Sequence, residues 1–221
     1  MSMKVFVFFG PPGVGKGTQC GLLTDRLGVK HVSTGSIIRA EIGAGTELGH
    51  KVKELVQAGN LVDDDLLFSC LKSFLSRMDL SSGVLLLDGV PRTVSQVGGL
   101  ESVLEQQKLK VTGVISLVAP VDDLISRFGK RWTCACGYVG SFETEHAAHT
   151  ESCPKCGRVG GFVRREDDKP EVVAKRMEIY RNETEPVAAV YRKSGKICEI
   201  NGLNFVEHVY LDVARCVMEM V

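Results

Sequence analysis

The stretch Val5-Phe6-Val7-Phe8-Phe9-Gly10-Pro11-Pro12-Gly13-Val14-Gly15-Lys16-Gly17-Thr18 decides how the rest of the chain is read. Its first five residues are apolar, β-branched or aromatic, and do not alternate with polar ones. That is the pattern of a strand covered on both faces. The turn after it matches G-x-x-x-x-G-K, with Gly17 displacing the following hydroxyl to Thr18. Glycines let successive backbone N–H groups turn inward around phosphate oxygens. A helix starting there presents its positive end to the same anion, and Lys16 adds a point charge. Gly10, Gly13, Val14, Gly15, Lys16, Gly17 and Thr18 are therefore the expected phosphate cradle. Thr18 is the expected hydroxyl contact to phosphate or to water on a magnesium ion. The strand before and the helical pattern Gly17–Leu27 after argue against a chance glycine-rich turn.

Outward from this stretch the same alternation continues. Further strands are expected at Val29–Val32, Val84–Leu87, Val114–Val118 and Lys196–Ile200. Helical patterns lie at Leu48–Ala58, Asp63–Arg77, Ser95–Gln107, Asp122–Arg131, Glu171–Ser194 and Asn204–Met220, with a break expected at Pro186. Strands alternating with helices indicate an α/β fold with a parallel sheet. Arg127 and Arg131, four apart in the expected helix, would share one face. The strand at Val84 ends in Asp88, and a carboxylate at that place beside a phosphate loop reads as part of a magnesium shell. Trp132–Phe162 is rich in Gly, Cys, His and Thr and carries no helical stripe, so it reads as an inserted module.

Composition narrows the function. The 221 residues carry 27 basic and 27 acidic side chains, which disfavours a sequence-independent nucleic-acid binder. A hydrophobic content of 44% excludes disorder for most of the chain. No apolar run approaches the ~18 residues of a membrane span, so a cytoplasmic, reducing location without a membrane partner is expected. Of the eight cysteines, Cys134, Cys136, Cys153 and Cys156 cluster, while Cys20, Cys70, Cys198 and Cys216 are isolated. The isolated ones read as small buried hydrophobes, and no disulfide is expected. Four thiolates suit tetrahedral zinc, and the sixteen residues between the pairs match ribbon-type spacing. His146 and His149 are alternative nitrogen ligands. Four ligands fill the tetrahedron, so the zinc would be structural and would supply folding free energy to an insert too small for a core of its own.

The Gly-Lys-Gly-Thr loop, Ser33-Thr34-Gly35, Asp88-Gly89-Val90-Pro91-Arg92-Thr93 and Arg165-Glu166-Asp167-Asp168 occur in an order that resembles the adenylate kinases, in the long form with a zinc-binding lid. The resemblance covers essentially the whole chain. It implies reversible phosphoryl transfer from ATP to AMP, giving two ADP, with magnesium. It implies a five-stranded parallel sheet carrying two inserts: core 1–31, a monophosphate-binding insert 32–62, core 63–128, a lid 129–165 and core 166–221. By resemblance, Thr34, Arg39, Gly89, Arg92 and Gln96 serve AMP, with the backbone of Asn60, Leu61 and Val62 lining the base pocket. Lys16, Arg127 and Arg131 face ATP and the transferring phosphate, Arg165 and Arg176 close from the lid side, and the carbonyl of Asn204 meets the ATP base. A monomer is expected. Arginine fits these roles because its planar fork donates two hydrogen bonds at once.

The chain departs from that family's pattern at Ser36, where Asp is usual, at Val90, where Phe is usual, and at Lys130-Arg131, where Gly-Arg is commoner. The upstream metal knuckle is C-x-C, with Thr133 in the place of the first cysteine. Gly140 stands where the lid carries an aromatic residue. Two rivals remain at this stage: a kinase for UMP, CMP or GMP, and a non-enzymatic zinc-ribbon module fused to a nucleotide switch.

Overall fold

The computed structural model describes residues 2–220; Met1 and Val221 lie outside them. β1 (Lys4–Phe9) runs through the glycine-rich turn into α1 (Lys16–Leu27). β2 (Lys30–Ser33), α2 (Thr34–Ala44), α3 (Glu47–Gln57) and α4 (Asp64–Leu75) follow. The side chains of Ser33, Thr46 and Asp63 accept backbone N–H bonds at the starts of these three helices. Next come β3 (Val84–Asp88), α5 (Ser95–Gln106), β4 (Val111–Val118) and α6 (Val121–Gly129). β5 (Arg131–Cys134), β6 (Val139–Ser141), α7 (Glu145–Thr150) and β7 (Phe162–Val163) build a separate small unit. The chain returns through a 3-10 turn at Glu166–Asp168 to α8 (Pro170–Ile179). A π-helical segment, Tyr180–Thr184, leads into α9 (Glu185–Lys193), then β8 (Ile197–Asn201) and α10 (Val206–Met220).

The main sheet has strand order β2-β3-β1-β4-β8, with every pairing parallel. Side chains of β1 alternate between two cores, as strand geometry requires. Val5, Val7 and Phe9 pack with Leu67 and Leu71 of α4, Leu100 and Leu104 of α5 and Val187 of α9. Phe6 and Phe8 pack with Leu23 of α1, Met177 of α8 and Val213 of α10. Both faces of the sheet are thus covered, which is why its strands read as unbroken apolar runs. The register sets Phe8 and Ser33 each opposite Asp88. The carboxyl ends of β1, β2 and β3 therefore bring the phosphate loop, Thr34 and Asp88 to one rim, the edge where open α/β sheets take ligands.

Several expectations change. The helix expected to reach Arg131 ends at Gly129, and Arg131 opens β5. Continuing the helix would carry Trp132 away from the small core it shares with Cys134, Ala148, Cys153 and Phe162, where it is 3% exposed. Arg127 and Arg131 are therefore not on one helix face. The module without a helical stripe contains α7, whose six residues are too few to show one. Helix α2 was not expected at all; its local signals were the Ser33 cap and Gly45, which closes it in the left-handed conformation. The break placed at Pro186 is instead the π-helical segment just before it, where i→i+5 bonding gives the proline ring room. Finally, Cys198 and Cys216 are not isolated: β8 and α10 bring their Cα atoms to 6.5 Å, within the span of a disulfide. No helix among the described residues is long and apolar enough to cross a membrane.

Candidate active site

A cleft of about 1100 Å³ opens over the carboxyl rim of the sheet. The whole phosphate-loop stretch from Gly10 to Thr18, apart from Pro11, lines it, together with Asp88, Arg127, Arg131, Arg165 and Asn204. A smaller cavity of about 70 Å³ adjoins it, lined by Thr34, Asn60, Leu61, Val62, Gly89 and Gln96. Arg39, Arg92 and Arg176 line both. The residues expected to serve two nucleotides thus line two adjoining spaces, whose shared wall carries these three arginines together with Leu61 and Gly89. Arg165 belongs to the larger space.

The loop is built by its glycines. Gly13 sits at φ 80°, and a Cβ there would lie 2.7 Å from the Phe128 ring. The close approach of Phe128 and the left-handed backbone both exclude a side chain. Lys16 Nζ curls back to donate to the carbonyls of Gly10 (2.7 Å) and Pro11 (3.0 Å). Burial lowers the Lys16 ammonium to about 8, with the Asp88 charge opposing the shift. Across the rim, Gly89 lets two side chains converge. Thr34 Oγ1 donates to the Gly89 carbonyl at 3.0 Å and Arg92 Nε donates to it at 2.9 Å. A Cβ on Gly89 would lie 2.6 Å from Thr34 Oγ1.

Charge is unevenly compensated here. Lys16, Arg39, Arg92, Arg131, Arg165 and Arg176 surround the junction, and the carboxylates among them are Asp88, Asp167 and Asp168. Asp167 holds Arg165 through two bonds, Nε at 2.8 Å and Nη2 at 2.5 Å, and Arg176 at 3.0 Å. Asp168 pairs with Arg131 in the same forked way. Burial pushes Asp167 up, but the Arg165 bonds and the charges of Arg165, Arg176 and Arg39 hold its carboxyl far below the ordinary range. Burial, reinforced by Arg165, lowers Arg39 to about 10. Burial also lowers Arg176 to about 10, with Asp167 opposing. Such a concentration of buried cations favours any polyanion that enters. Arg127 differs: its guanidinium donates to the carbonyls of Val14 (3.3 Å) and Gly202 (3.2 Å), tying the loop after β1 to the loop after β8.

Sequence alone assigned no role to Asp167 and Asp168. The usable signal was two acids following an arginine in a chain whose arginines converge. It also passed over His31, whose Nε2 lies 3.9 Å from the Asp88 carboxylate and which burial lowers.

In the small unit, Cys134, Cys136, Cys153 and Cys156 have their sulfurs within 4.8 Å of one another. Cys134 lies 3.6 Å from Cys156 and Cys136 lies 3.5 Å from Cys153. Zn–S bonds of ~2.3 Å in a tetrahedron place sulfurs roughly 3.8 Å apart, so the four thiols fit the ion. The C-x-C spacing is accommodated because Cys136 sits in a turn, with Gly137 N–H donating to the Cys134 carbonyl at 2.8 Å. The downstream knuckle repeats this bond from Gly157 to Cys153 at 2.8 Å. Desolvation raises Cys153, but the N–H groups of Cys156 and Lys155 and the neighbouring thiols outweigh it and lower the group to about 7, easing thiolate formation. Neither His146 nor His149 joins the cluster; the His149 ring packs edge-on against Trp132 at 5.9 Å.

Comparison with known proteins agrees with this geometry. The sequence model of the family described as adenylate kinase matches residues 8–196. The chain is 35% identical to an adenylate kinase of Methanothrix thermoacetophila, over 95% of this chain and 96% of that one. It is 37% identical to one of Methanocella arvoryzae, over 97% and 99%, and 39% identical to one of Desulfitobacterium hafniense, over 94% of each. Two adjoining cavities lined with arginines on a parallel sheet, and this likeness over nearly the full length, lead to one conclusion: the chain belongs to the adenylate kinase family.

Proposed function

We propose that the protein transfers a phosphoryl group reversibly between ATP and AMP, giving two ADP, in the presence of magnesium. The observation that carries this reading is the pair of cavities joined at Arg39, Arg92 and Arg176. Transfer in line requires two anions held end to end with their charge compensated. In this reading ATP occupies the larger cleft, its phosphates on the loop Gly10–Thr18 and Lys16 and its base near Asn204. AMP occupies the smaller one, its phosphate facing Arg39 and Arg92 and its base reaching Gln96 past Asn60, Leu61 and Val62.

An oxygen of the AMP phosphate attacks the γ-phosphorus while the bond from that phosphorus to the β-bridging oxygen breaks. No general base is needed, because the attacking oxygen already carries charge. Arg92, Arg131, Arg165 and Arg176 surround the transferring group and stabilise the charge spread over its oxygens, while Arg127 serves the ATP side by holding the phosphate loop through the Val14 carbonyl. A bound magnesium ion would supply charge neutralisation to the triphosphate. Thr18 and Asp88 are the residues that would hold its shell.

Segments 32–62 and 129–165 act as covers in this scheme, the second made rigid by zinc on its four cysteines. Closing them excludes water, which competes as phosphoryl acceptor. The protein works as a cytoplasmic monomer without a nucleic-acid partner. A coupled assay with ATP and each of AMP, UMP, CMP and GMP tests the proposal. AMP turns over fastest; faster turnover with UMP overturns the choice of acceptor.

A further inference from the structure

Gln96 is 1% exposed and lines the smaller cavity, and both ends of its amide are engaged. Its Oε1 accepts from the backbone N–H of Arg92 at 2.7 Å, and its Nε2 donates to Asp64 Oδ1 at 2.6 Å. These two partners settle which end is which. A backbone N–H only donates and a carboxylate oxygen only accepts. Turned over, the amide would set oxygen against carboxylate and NH₂ against N–H. Asp64 stands behind Gln96, outside the cavity lining. The capping of α4 does not occupy it, because Asp63 accepts the N–H bonds of Asp65 and Leu66.

Held this way, Gln96 keeps one N–H and one lone pair for a base. Adenine presents a donor, N6–H, beside an acceptor, N1, and matches both. A 6-oxopurine presents the reverse, an acceptor O6 beside a donor N1–H. A free glutamine amide could rotate to suit either; this one cannot without leaving two buried polar groups opposed to like partners. We propose that Asp64 determines base specificity by position: its bond to Gln96 Nε2 fixes the amide in the orientation that accepts a 6-aminopurine and rejects a 6-oxopurine monophosphate. The inference rests on reading the smaller cavity as the AMP site.

The test is steady-state kinetics with ATP and either AMP or IMP, on the unmodified protein, Asp64→Asn and Asp64→Ala. Asn has nearly the same shape as Asp but can donate as well as accept, so the hydrogen bond survives while the carboxylate's demand on orientation is lost, leaving the Arg92 N–H as the one remaining constraint. The ratio of kcat/KM for AMP to that for IMP falls about tenfold in Asp64→Asn, mainly through KM, and at least as far in Asp64→Ala. A purely structural role would change both acceptors alike and leave the ratio in place. An unchanged ratio in a folded Asp64→Asn protein overturns the proposal, and that variant keeps the test decisive even where Asp64→Ala fails to fold. An unmodified protein that prefers IMP, or does not use AMP, overturns the parent reading before any variant is compared.

Discussion

Lys16 shows how one side chain couples site chemistry to pH. Burial brings its ammonium from 10.5 down to about 8 in the free protein. Between those values the unfolded chain binds more protons than the folded one, so ligand-free stability rises with pH across that window. Nucleotide binding has the opposite sign. Phosphate oxygens favour the charged lysine, so above about pH 8 ATP must bring a proton with it, and affinity falls by up to about tenfold per pH unit. Below about pH 7 the lysine is already charged and the dependence on it vanishes. A titration of ATP affinity between about pH 6.5 and 9.5 checks this. Lys16→Met binds more weakly and loses the alkaline slope; a Lys16→Met protein that keeps the slope assigns it to another group.

At the scale of elements, the cysteine unit is the part whose stability is separable. Its core is Trp132, Cys134, Ala148, Cys153 and Phe162, far fewer apolar residues than either face of the main sheet supplies. In the proposed reading, a metal on the four cysteines would provide much of its folding free energy. Trp132 is the single tryptophan of the chain, and it lies under Arg164, whose guanidinium sits 4.8 Å from the ring. Its fluorescence thus reports this unit alone. Purified protein should contain close to one zinc per chain. Chelation should shift Trp132 emission to the red while far-UV circular dichroism, dominated by the sheet and helices of the main body, changes little. Loss of both signals together would show that the unit is not independent, and metal-free protein with unchanged emission would remove zinc from the account. The cysteines of this unit were legible in sequence because a knuckle is a local object. Helix α7 was not, because its formation depends on Thr144 as a cap and on Ala148 entering the small core.

For the whole molecule, a net charge of zero conceals a cleft lined with half-buried cations. The cations of the junction come from α1, α2, β5, α8 and the loops that follow β3 and β7, which only the assembled fold brings together. Because the two cavities share Arg39, Arg92 and Arg176, a ligand spanning both meets the cluster once for two binding events. Two adenosines joined through a polyphosphate chain should therefore bind at least about a hundredfold more tightly than AMP, by the effective-concentration argument. Calorimetry with that compound, with ATP and with AMP checks the expectation. Simultaneous, independent binding of AMP beside the linked compound would show that the cavities are not continuous.

The sequence by itself determined the phosphate loop, the parallel α/β class and the four-cysteine cluster. Each is written in spacing over a few residues, where backbone conformation and side-chain type suffice. Tertiary structure decided where α6 stops, because burying Trp132 in the second sheet outweighs one more helical turn. It decided that Cys198 and Cys216 meet, and that Asp167 and Asp168 hold the arginines between which the phosphates would pass. It also decided that Asp64, thirty-two residues before Gln96, sets the orientation of its amide. These are contacts between segments remote in the chain, and their energy depends on burial and geometry that exist only once the sheet has assembled.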